Sequence, residues 1–125
     1  MQIAKRLGMQ VLGLTFAGSA SAVTVATAPL DASQWDEYAC NIVNLGTTNL
    51  TAKVELVDFD EGTVIASGEL AAPPGAGARL TQLDEEFGFG AYCRFEIPGA
   101  RRDFRASLTI YSGTDGRDVA IAEAR

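Results

Sequence analysis

The chain has 125 residues and a mass of 13.2 kDa, with 16 Asp and Glu against 10 Lys and Arg, a net charge of −6 and no histidine. That length holds one domain. The acidic balance disfavours nucleic acid, whose phosphates call for clustered Lys and Arg, and the missing histidines remove Ser-His-Asp and Cys-His nucleophile systems and His-ligated zinc or copper. Apolar residues make up 47 %, enough for a packed core and too many for a disordered chain.

The N-terminal stretch reads as an export signal. Lys5 and Arg6 form a short basic start, residues 8–18 are apolar and uncharged, and Ala20-Ser21-Ala22 supplies small residues before a cut after Ala22. The apolar run is well short of the roughly 20 residues that span hydrocarbon, which disfavours a membrane anchor. Ala26-Thr27-Ala28 is the second choice of cleavage site, because Pro29 would then begin the mature chain. The plain Ala-x-Ala ending is of the bacterial kind, so the expected destination is the periplasm or the medium. A cut after Ala22 leaves residues 23–125 as a single domain, and the loss of two cations and no acid takes the net charge from −6 to −8.

Cys40 and Cys93 are the only cysteines. In an oxidising compartment an isolated pair is most simply a disulfide. Closing a loop of more than fifty residues restricts the unfolded chain by roughly 4 kcal/mol in the loop-entropy picture. The sharper alternative is a redox-active pair, but such pairs usually sit as C-x-x-C at a helix start.

The mature chain alternates with period two. Tyr38 to Leu45 reads as a strand carrying Cys40 and Ile42 on one face. Leu50, Ala52, Val54 and Leu56 line one face of the next strand, and Val64, Ala66, Gly68 and Leu70 repeat the pattern after the turn-rich Asp58–Gly62. A hairpin with Leu56 opposite Ala66 keeps these residues on one side and sets Lys53 opposite Glu69 on the other. After Pro73-Pro74-Gly75, a weaker strand spans 78–83. Phe87, Phe89, Ala91, Cys93, Phe95 and Ile97 form an inward row. Phe104, Ala106, Leu108 and Ile110 form its expected partner, with Phe95 opposite Ala106 and Glu96 opposite Arg105. Val119 and Ile121 make a last strand beside 104–111, with Glu123 on the same phase. About seven short strands with no helical period predict an all-β, antiparallel β-sandwich.

Two cysteines on inward positions of an early and a late strand resemble the inter-sheet bridge of immunoglobulin-like domains. Trp35 lies before the first cysteine and Tyr92 directly beside the second, so the likeness is to an immunoglobulin-like sandwich and not to the immunoglobulin family proper. Cys40-Asn41-Ile42-Val43-Asn44-Leu45, a middle hairpin, a Pro-Pro-Gly loop and Cys93-Arg94-Phe95 also resemble small secreted bacterial domains of unknown function over residues 38–111. That resemblance carries no activity or site.

Arg94, Arg101, Arg102 and Arg105 make a possible anion or partner patch, since guanidinium forks match carboxylates, sulfates and phosphates. The bland reading is a hairpin tip with Arg105 spent on Glu96. Val57, Ile65, Tyr92 and Tyr111 fall on the outward phase and make a possible apolar partner patch. Asp58, Asp60 and Glu61 hold part of a calcium loop without its full spacing, and read first as a solvated turn. Trp35, Phe87, Phe89 and Tyr92 raise the idea of a stacking platform for sugar, but Phe87 and Phe89 share the phase of Cys93 and read as core. Glu55, Glu69 and Glu96 all point outward, where a shifted catalytic pKa is not expected.

The function expected from these residues is an exported, non-enzymatic module, needing no metal or cofactor. It would bind a protein or a glycan, or serve a structural role in the envelope or outside the cell, as a monomer or weak oligomer. The alternatives are a small secreted hydrolase using surface carboxylates, and an inhibitor of an extracellular hydrolase presenting the loop at 98–103.

Overall fold

The computed structural model describes residues 22–84 and 90–125. Residues 1–21 of the expected export segment, and Phe87 and Phe89, lie outside them. Among the described residues nine strands form two antiparallel sheets. They are β1 (Ala22–Ala26), β2 (Leu30–Asp31), β3 (Glu37–Asn44), β4 (Leu50–Asp58), β5 (Val64–Ala72), β6 (Gly77–Leu83), β7 (Gly90–Pro98), β8 (Phe104–Tyr111) and β9 (Asp118–Glu123). The first sheet runs β1-β7-β4-β5, with β2 also paired to β7, and the second runs β6-β3-β8-β9. The expected all-β sandwich is therefore the observed architecture, and all seven expected strands are present as β3 to β9.

Period-two alternation explains why the sheets pack. Val54, Leu56, Cys93, Phe95 and Ile97 of the first sheet face Tyr38, Cys40, Ile42, Leu108 and Ile110 of the second in one buried cluster. Cys40 on β3 is bonded to Cys93 on β7, with Cα atoms 5.8 Å apart, so the expected disulfide joins a middle strand of each sheet. The β4–β5 hairpin has the expected register, with Leu56 opposite Ala66 and Lys53 opposite Glu69.

Four expectations are corrected. β7 and β8 do not form a hairpin: β7 lies between β1 and β4, while β8 lies between β3 and β9, so Phe95 does not pair with Ala106 nor Glu96 with Arg105. The inward rows of the two strands are as expected, but they meet across the sandwich. On β9 the phase is inverted by an irregularity between Ile110 and Tyr111. Val119 and Ile121 are exposed, while Ala120 and Ala122 are the half-buried positions. Val57 keeps its outward phase, opposite Tyr92 on β7 and outside the core cluster, but it is fully buried and not an exposed patch residue; on β5 a bulge leaves Ile65 as the extra residue beside it. β1 and β2 are additional strands. Ala22-Val23-Thr24-Val25-Ala26 alternates too, but it adjoins the export signal and carries no turn to set it apart.

A buried amide secures one end of the sandwich. Asn44, at 1 % exposure, donates through Nδ2 to the carbonyls of Thr48 (2.8 Å) and Ala72 (2.9 Å), and its Oδ1 accepts from the Gly46 N–H (2.9 Å). It thereby ties β3 of one sheet to β5 of the other, with no atom of the amide left unpaired. At another corner, the Ala26 and Arg125 backbones exchange two hydrogen bonds beside the Thr27–Ala124 bridge, linking β1 to the chain's end after β9. Replacing Asn44 by Ala strands two carbonyls and an N–H at a closed site. Chemical denaturation of Asn44→Ala is expected to show a loss of about 2–4 kcal/mol, and a loss under about 1 kcal/mol would show that the amide does not hold the sheets.

Candidate functional site

The outward faces of the two sheets carry different chemistry. On the first sheet, cross-strand rows place Thr24, Glu96, Lys53 and Glu69 side by side, and next to them Arg94, Glu55 and Ser67. These residues line a shallow concavity of about 540 Å³. Among the described residues it holds one salt bridge, Arg94 with Glu55. Arg94 Nε donates to Glu55 Oε1 at 2.9 Å, and this bond is the main cause that holds the guanidinium above its usual pKa. Lys53 stands between Glu69 and Glu96 in register. Such exposed pairs contribute about 1 kcal/mol or less each, and they read as a solvated ladder that keeps the sheet soluble.

The candidate arginines are divided between elements. Arg94 is on β7, Arg105 is on β8 opposite Val43 in the other sheet, and Arg101 and Arg102 are exposed in a short 3₁₀ turn, Arg101–Asp103. That turn is docked, because the Asp103 carbonyl accepts from the Leu45 N–H at 2.9 Å. The candidate apolar quartet is also divided: Val57 is buried, Ile65 packs against the core, Tyr92 lies across from Val57, and Tyr111 belongs to the second sheet. At the acidic turn, Asp58 Oδ1 accepts from the Asp60 N–H (2.8 Å) and the Glu61 N–H (3.1 Å), which makes that carboxylate a turn cap. Among the described residues no group of three metal-binding side chains comes together.

The second sheet carries a different feature at one end of its outer face. Trp35, Glu37, Arg79, Leu83, Tyr111 and the loop after it line a concavity of about 410 Å³. Glu37 on β3 stands between Leu83 on β6 and Tyr111 on β8. The Arg79 guanidinium lies over the Tyr111 ring, 5.4 Å from its centroid, a cation–π arrangement. Among the described residues neither Glu37 nor Arg79 has a salt-bridge partner.

Trp35 is held at the rim by its backbone. The turn Ser33–Asp36 is closed by the Asp36 N–H on the Ser33 carbonyl (3.0 Å), and Trp35 takes its third position with φ +73°. Glycine or asparagine usually fills such a place; for a bulky side chain it costs about 1–3 kcal/mol. Among the described residues Trp35 is the one non-glycine in that region, and its side chain leaves the residue 53 % exposed. Asp36 supplies the compensation. Its carboxylate accepts from the Ser33 N–H and the Gly113 N–H, both at 3.0 Å, and its carbonyl accepts from the Asp84 N–H at 2.9 Å. The Trp35 N–H donates to the Asp84 carbonyl. Three chain segments thus meet at Asp36.

Gly113 lies so close that a Cβ there would collide with the Trp35 carbonyl oxygen, so the loop from Ser112 to Arg117 can approach only with glycine at this position. That loop is itself built firmly: Ser112 and Arg117 are hydrogen-bonded (2.8 Å), and Asp115 takes the Arg117 backbone N–H and Nε, the first of which chiefly lowers its carboxyl pKa.

No family model and no curated protein sequence matches the chain. In fold it is similar to the crystal structure of Thermotoga maritima 1070, with a TM-score of 0.57 over 82 % of this chain and 91 % of that one at 9 % identity. At that identity the likeness is one of fold.

The close approach at Gly113 makes a sharp test. Gly113→Ala is expected to destabilise by about 1–3 kcal/mol through overpacking against backbone and to change the emission of Trp35, the single tryptophan of the chain. Unchanged stability together with unchanged emission would contradict the contact.

Proposed function

We propose that the chain is an exported, non-catalytic binding module of the immunoglobulin-like kind, whose ligand surface is built around Trp35. The observation that carries this reading is the indole presented to solvent on a left-handed backbone that Asp36 and Gly113 hold in place. Trp35 lies outside the core cluster with half its surface exposed, and backbone strain of this sort concentrates at binding sites.

Export is supported by the buried cystine, since such bonds persist where the environment is oxidising. The position of β1 favours one cleavage point. Val25 is 3 % exposed, and the Thr27 hydroxyl accepts from the Cys93 N–H at 3.0 Å. A cut after Ala28 would remove both residues, while a cut after Ala22 keeps them. The immunoglobulin-like reading is supported by four strands. β3 and β6 pair in one sheet, β4 and β7 in the other, and the cystine joins β3 to β7, as strands B, E, C and F do. β8 departs from that scheme, because it crosses to β3 instead of lying beside β7.

Two measurements test the reading. The exported protein is expected to begin at Val23 and to show no free thiol; an N-terminus at Pro29 or reduced cysteines would contradict it. Trp35→Gly removes the strain and the indole together, so stability is expected to change by less than about 1 kcal/mol. A loss of about 3–5 kcal/mol, the size found for core aromatics, would mean that Trp35 serves packing and not a ligand.

A further inference from the structure

Resting on that reading, we propose that the concavity bounded by Trp35, Glu37, Arg79 and Tyr111 is a binding site for a neutral saccharide, with the C–H face of a pyranose ring stacked on the Trp35 indole. Its volume of about 410 Å³ lies in the range of small-ligand sites. Three features select the ligand class.

The indole is apolar and broad, and the Asp36 hydrogen bonds fix the backbone turn that carries it, so its place on the rim is set before a ring stacks on it. The rim groups are complementary in hydrogen bonding. Glu37 only accepts and Arg79 only donates, whereas each sugar hydroxyl does both, so adjacent hydroxyls can satisfy the pair at once. Among the described residues neither Glu37 nor Arg79 has a salt-bridge partner, so both are open to ligand hydroxyls. A quaternary ammonium is disfavoured because the Arg79 guanidinium already covers the Tyr111 face that an aromatic cage would need. A simple anion is disfavoured by Glu37 on the same rim and by the acidic balance of the whole chain.

Trp35 reports on its own site, because no second tryptophan contributes to the emission. The full mature protein is screened on an array of neutral glycans, and hits are titrated in solution, alongside maltose, cellobiose and N,N′-diacetylchitobiose, by Trp35 emission and acrylamide quenching. At least one neutral glycan is expected to shift the emission to the blue and to cut the quenching constant about twofold, saturably. Glu37→Gln and Arg79→Ala are each expected to weaken that binding about tenfold, while Lys53→Ala on the opposite sheet leaves it within about twofold. Shielding of Trp35 by choline, adenosine or glycylglycine but by no neutral glycan would overturn the saccharide assignment and leave the binding-module reading standing. Silence across the array, or binding indifferent to both Glu37→Gln and Arg79→Ala, would also overturn it. The stability of Trp35→Gly judges the broader reading separately.

Discussion

The covalent bond between Cys40 and Cys93 is the constraint on which the rest of the architecture hangs. It connects β3 and β7, strands with a partner on either side, so each sheet is anchored through its interior and not at an edge. A domain of about a hundred residues buries only some 60–70 % of its unfolded surface, and a long closed loop lowers the entropy that folding must overcome. With the two layers joined, the inward rows of Val54, Leu56, Phe95, Ile42 and Leu108 can exclude water over a single cluster. Asn44 adds a polar tie between the same layers at one end, and the Ala26–Arg125 hydrogen bonds add another at a corner.

That rigid body leaves two outer faces, which differ in what their side chains are already doing. On the first sheet, Arg94 is joined to Glu55 in a salt bridge, and Lys53 stands in register between Glu69 and Glu96. On the second, Glu37 and Arg79 flank Tyr111 without a salt bridge among the described residues, and Trp35 stands at the rim. The larger concavity is thus the less informative one, because its arginine is committed to Glu55 and no aromatic ring among the described residues lines it. The smaller one joins unspent charge to an aromatic ring that the backbone holds at a cost.

Much of the fold was legible in the sequence because alternation reports inward and outward faces directly. Cys40, Ile42, Val54, Leu56, Cys93, Phe95 and Leu108 all lie inside, as their phase requires. Alternation does not report which sheet a strand joins. β7 and β8 have matching apolar rows that serve as well across a sandwich as within a hairpin, and the agreement of Glu96 with Arg105 is a coincidence of charge. An irregularity defeated the phase at Val119, since a single bulge shifts every later side chain, while Val57 keeps its outward phase and is covered all the same, because phase does not report what packs over an outer face. The candidate site was legible only in part. Trp35 stands out as a possible stacking residue, but its left-handed backbone depends on Asp36, Asp84 and Gly113. Two of those partners are nearly fifty residues or more away, and no local pattern announces such contacts.

The central claim is that a cystine-joined sandwich presents Trp35 as a ligand surface on its second sheet. Nitrogen–proton correlation spectra of the labelled mature protein, which contain one indole resonance, test it most directly when recorded through a titration with a neutral glycan found to bind. The account predicts that the Trp35 indole signal moves together with the amides of Glu37, Tyr111 and Gly113, while those of Lys53, Glu69 and Glu96 stay in place. Movement confined to the outer face of the first sheet, with the indole unmoved, would contradict it.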